Sequence, residues 1–141
     1  IPPTPVLKSP ISLDSFIDHS IDEVDKSKTY KPDPNFDLYN IYFRLNYYPT
    51  QDWVQIFDAE RRFPRHSMWR KAWVDGQYIV VHCTLEEVKK YHLTDIKEDV
   101  SNANKKYRLY LQQQEIQKQK EIDKKSDDHR KIDNALDNLD L

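Results

Sequence analysis

The sequence predicts an α+β fold: a small antiparallel sheet, three-stranded, with helices packed on one face. Three observations carry that expectation. A hairpin signal sits at Asp75-Gly76, between runs rich in aromatic and β-branched residues. An alternating segment lies at 38–45, and helical periodicity appears at 50–62 and again beyond residue 84. The predicted order is strand, helix, hairpin, short helix, long helix. It divides the chain into a Pro-rich N-terminal segment (1–35), a compact core (36–112) and a charged helical tail (113–141).

Six of the eight prolines fall in the first 35 residues, so this segment reads as mostly extended. The exception is a short helix expected at 12–25. Ser12 or Asp14 would cap it, and it would carry Phe16, Ile17, Ile21 and Val24.

In "DLYNIYFRLN", Tyr39, Ile41, Phe43 and Leu45 alternate with the period of a half-buried strand. The other face carries Leu38, Tyr42 and Arg44, so something is expected to cover it. The period then changes. Thr50 is an N-cap and Asp52 falls in the first turn. Trp53, Ile56 and Phe57 form one buried stripe. Pro64 ends this helix near Arg62.

Asp75-Gly76 as the two central turn residues gives a hairpin register. Val74 pairs with Gln77, Trp73 with Tyr78, and Ala72 with Ile79. Extended outward, Lys71 meets Val80, Arg70 meets Val81, Trp69 meets His82 and Met68 meets Cys83. Alternation sorts these into a core face (Met68, Ala72, Val74, Ile79, Val81, Cys83, with Arg70 as the odd member) and a second face (Trp69, Lys71, Trp73, Tyr78, Val80, His82).

Thr84 and Glu87 fit a capping box for a short helix ending near Tyr91, and Thr94 caps the next. Ile96, Val100, Ala103, Tyr107 and Tyr110 make a heptad-like seam that fails after residue 110. A helix from Thr94 to Lys125 would be roughly 48 Å long at ~1.5 Å per residue, so its end must project or break. Ser126 would start a last helix with Ile132, Ala135, Leu136 and Leu139 on one stripe.

The formal net charge is −2, with −2 in 1–35, +1 in 36–92 and −1 in 93–141. That argues against a chain devoted to gripping phosphates. One glycine rules out a Gly-rich phosphate loop. Cys83 is the only cysteine, which suits a reducing, cytoplasmic location. No apolar run approaches the ~20 residues of a membrane span, and the start lacks signal-peptide character. It also lacks an initiator Met, so the chain is expected to be a piece of a longer protein.

No catalytic constellation and no cofactor or metal site is expected. His66, His82, Cys83 and His92 fit no zinc spacing, and neighbours on a strand point to opposite faces. Basic and aromatic residues nevertheless crowd together in "ERRFPRHSMWRKAWVDGQY". Trp69, Lys71, Trp73, Tyr78 and His82, with Arg65 and Arg70 nearby, are the candidate binding residues. The leading expectation is a non-catalytic module that binds another protein through this aromatic sheet face. The alternative is nucleic acid on the same face. The third is an enzyme centred on Cys83 and a histidine. Homo-oligomerisation through the C-terminal helix is a further expectation.

Overall fold

The computed structural model describes residues 15–139. The elements are β1 (Ile21–Tyr30), β2 (Tyr39–Leu45), α1 (Gln51–Arg61), β3 (Ala72–Asp75), β4 (Tyr78–Cys83), α2 (Leu85–Glu87), a π-helical turn (Val88–His92) and α3 (Leu93–Asp137). The class is α+β, as expected, but the antiparallel sheet has four strands in the order β1-β2-β4-β3 rather than three.

The additional strand is β1, in the segment read as extended with a short helix at 12–25. Residues 12–14 lie outside the described residues. Residues 16–20 have no regular structure, and strand begins at Ile21. Two asparagines explain why helix loses here. Asn104 Nδ2 donates to His19 O, and its Oδ1 accepts from His19 N–H. Asn46 Oδ1 accepts from Ser20 N–H while its Nδ2 donates to Asp18 O. The backbone groups that a helix would satisfy internally are thus satisfied by side chains far along the chain. β1 then pairs with β2 as an edge strand, with register shifts between Ile21 and Glu23 and between Asp25 and Tyr30. Its charged residues Asp22, Glu23, Lys26 and Lys28 are exposed, so no charge is buried by the pairing.

α1 forms as read: Thr50 Oγ1 accepts from Trp53 N–H at 3.2 Å, and Asp52 lies in the first turn. Thr84 caps α2 in the same way, accepting from Glu87 N–H. Thr94 caps nothing, because helix passes without a break through the π turn into α3. Ser126 likewise starts no new helix, since α3 continues to Asp137.

The hairpin register differs from the sequence reading by two residues. Asp75 pairs with Tyr78, Val74 with Ile79, Trp73 with Val80 and Ala72 with Val81. The two turn residues are therefore Gly76 and Gln77, not Asp75 and Gly76. Gly76, at φ +61°, takes the first central position, where either primed hairpin turn demands positive φ. A one-residue slip would have exchanged the faces of the hairpin; a shift of two preserves them.

The described residues fall into two compact units: Ile17–Tyr107, and the flanking residues up to Phe16 and from Arg108 on. In the first unit, one face of the sheet contributes Ile41, Phe43, Leu45, Ile79, Val81 and Cys83, all buried. Trp53, Phe57, Ile96, Val100, Ala103 and Tyr107 supply the helical side of this core. In the second unit Phe16 and Leu111 are buried, and the Arg108 guanidinium lies 5.0 Å from the Phe16 ring. Ile116, Ile122, Ile132, Leu136 and Leu139 of the tail are exposed, consistent with a seam that runs out.

Candidate functional site

Burial alternates along β2: Ile41, Phe43 and Leu45 are buried, while Tyr42 and Arg44 between them are half-buried. The pairing extends this second face across all four strands. Glu23, Arg44, Tyr78 and Asp75 form one cross-strand row. Asp25, Tyr42, Val80 and Trp73 form the next. Tyr30, Asn40 and His82 continue to Lys71, whose carbonyl accepts from His82 N–H.

Four of the seven residues singled out in the sequence, Lys71, Trp73, Tyr78 and His82, therefore share this face. Val80 joins them but is fully buried between Tyr42 and Trp73. Sequence reading missed the contribution of β2. Tyr42 meets Tyr78 edge-on, with ring centroids 5.6 Å apart, and Asn40 Oδ1 accepts from His82 Nδ1 at 2.8 Å. The signal was present in the incomplete polarity of the outer face of 38–45.

β1 adds a polar border. Lys28 Nζ lies 5.2 Å from the Tyr42 centroid and 5.3 Å from that of Tyr78. The Tyr78 hydroxyl donates to Asp25 Oδ2 at 3.0 Å. Hydrogen bonds from Ser27 and then Tyr78 lower the Asp25 pKa, and the same bond to Asp25 raises that of Tyr78. Lys71 Nζ lies 5.9 Å from the Trp73 ring, and Arg44 pairs with Glu23 at 3.4 Å.

Trp69, Arg65 and Arg70 are not on this face. The chain leaves the β4 ladder before Lys71, so the pairings read for Trp69–His82 and Met68–Cys83 are not made. Trp69 instead packs with the end of α1. The guanidinium carbons of Arg61 and Arg65 lie 4.0 and 4.5 Å from its ring centroid, and its Nε1 donates to Arg61 O.

The arginines here are committed to carboxylates. Arg61 Nη1 bonds Asp99 Oδ2 at 2.7 Å, and its Nη2 donates to Arg70 O. Arg65 reaches Asp99 Oδ1 at 2.7 Å and Glu98 at 3.3 Å. Arg70 is bidentate to Glu87, at 2.9 and 3.0 Å. Glu87 also accepts from His92 Nε2, and these two partners, Arg70 first, hold its pKa at about 2. Arg61, in the last turn of α1, is buried because Asp99, thirty-eight residues on, is wholly buried beside it.

The residues of the enzyme reading are dispersed. Cys83 is buried, and burial pushes its thiol up to about 11, away from the nucleophilic thiolate. His82 lies on the opposite face with Asn40. His66 Nδ1 accepts from Met68 N–H, so its Nε2 donates to Asp95 Oδ2 at 2.7 Å. Among the described residues no three His, Cys, Asp or Glu side chains are grouped to hold a metal ion. No described helix is long and apolar enough to cross a membrane. The chain matches no protein-family model, no curated protein and no solved structure.

Proposed function

We propose that this protein is a non-catalytic interaction module that binds a protein partner through the open face of its sheet. Tyr42, Trp73 and Tyr78 are the anchors, with Lys28, Arg44, Lys71 and His82 around them. One observation carries the reading: these rings are only half-buried, while Ile41, Phe43 and Leu45 on the other face of β2 are buried. Large rings with polar tips, held by a rigid sheet, are the groups that dominate protein interfaces. Nucleic acid fits less well. Arg65 and Arg70 lie off the face and would have to give up carboxylate partners to meet phosphates, and Arg44, on the face, already pairs with Glu23. The lone buried thiol suits a reducing, cytoplasmic setting.

The test compares the full chain with Trp73→Ala and Tyr78→Ala variants in affinity capture from extracts of the source cell, each checked for folding. Anchor residues cost about 2 kcal/mol or more on truncation, so capture of a specific protein should fall roughly thirtyfold. Identical capture by all three chains would overturn the reading. Tight, salt-sensitive oligonucleotide binding lost in the same variants would replace it with the nucleic-acid alternative.

A further inference from the structure

The two edges of the sheet differ. β1 is shielded by two register shifts and by Asp22, Glu23, Lys26 and Lys28. β3 is short but straight in register, with no bulge and no proline. Its hydrogen-bonding parity follows from one contact. His82 N–H bonds Lys71 O, so Lys71, Trp73 and Asp75 direct their peptide groups at β4. Ala72 and Val74, between them, direct N–H and C=O outward, and among the described residues neither bonds another element.

This edge is complementary to itself. An antiparallel copy centred on Trp73 sets Ala72 opposite Val74 of the second copy, and Val74 opposite its Ala72. Both are outward-facing positions, so each pair closes a ring of two N–H···O=C bonds. The same register sets Lys71 opposite Asp75 on either side of the axis. Both residues are exposed and of opposite charge, on the face that Trp73 shares. A register displaced by one residue would match outward with inward peptide groups and lose the bonds.

We propose that two copies of this chain associate through β3, Ala72–Asp75, into one continuous eight-stranded sheet, with Trp73 stacked on its counterpart and Lys71–Asp75 pairs at both ends. This stands on the edge alone and does not depend on the protein-partner reading of the face. The interface is small, so the dissociation constant should be on the order of 0.1 mM.

The test combines sedimentation of the full chain with residue-resolved amide exchange, from about 10 µM to about 1 mM. At that dissociation constant the monomer fraction falls about fourfold over this range. The Ala72 and Val74 amides should slow by the same factor, while those of Trp73 and Asp75, already bonded to β4, should not change. Lys71→Glu turns both charge pairs repulsive and should weaken the dimer about tenfold. Adding Asp75→Lys to it reverses the pair and should restore the dimer. Ala72→Pro removes only an outward donor; it should abolish the dimer while the β3–β4 amides stay protected. A monomer at every concentration overturns the proposal. So does a dimer indifferent to these variants, which would lie elsewhere, such as on α3. So does a charge reversal that fails to restore association in a folded protein.

Discussion

Replacing Arg61 with leucine should show that this arginine holds the fold together. Arg61 bonds Asp99 at 2.7 Å, caps Arg70 O and stacks on Trp69. Asp99 is wholly buried, and its other cationic partner, Arg65, is partly solvated. Arg61→Leu leaves that carboxylate with half its compensation. Removing one partner of a buried pair costs about 3–5 kcal/mol, and the surviving Arg65 contact sets the expectation near the lower end, about 3 kcal/mol. With a urea slope of about 1.5 kcal/mol/M, the unfolding midpoint should fall by about 2 M. Arg61→Leu combined with Asp99→Leu should recover much of the loss, because the apolar pair has no charge to desolvate. A loss under about 1 kcal/mol, or a double variant no better than the single, would mean that the buried Asp99 does not depend on Arg61.

Three further outcomes follow from the same structure. Burial holds the His19 pKa at about 4 against an ordinary 6.5. The unfolded chain therefore takes up a proton that the folded one refuses, and stability should fall as pH drops from 6.5 to 4, by as much as about 3 kcal/mol. His19→Gln should flatten that slope in urea titrations. Glu87, held at about 2 chiefly by Arg70, runs the other way in origin. Its contribution is full above about 4.5 and lost as pH falls through 2, so Glu87→Gln should cost about 2 kcal/mol at pH 7 and almost nothing at pH 2, after allowing for the solvent around Arg70. Gly76→Ala should cost about 1 kcal/mol in thermal unfolding, because φ is +61° while the nearest neighbour, Tyr48 Cε1 at 3.5 Å, leaves room for a methyl group.

Local signals were legible in the sequence wherever local physics decides the outcome. Thr50 and Thr84 cap as their spacing implies, and the alternation around Ile41 and Phe43 sorts the faces of β2. The hairpin was legible as a hairpin, with the correct faces, although its register was not: the single glycine serves the first turn position, not the second. What failed depended on distant partners. β1 exists where helix was read because Asn46 and Asn104 satisfy the backbone leading into it. The half-read capping box shows the same limit, since Glu87 turns to Arg70 and His92. The basic stretch looked like one surface because its carboxylates, Glu87 and Asp99, lie elsewhere in the chain. Trp69 was grouped with Trp73 by alternation, but Arg61 and Arg65 hold it against the helix end instead.

Site-directed photo-crosslinking from the sheet face identifies what that face meets. Benzoylphenylalanine would replace Tyr42, Trp73 and, as a control off the face, the exposed Phe63. Positions 42 and 73 should give the same discrete protein adduct, and position 63 none. Adducts from 63 alone, an indistinguishable pattern from all three positions, or adducts to nucleic acid from the face would contradict the protein-partner reading.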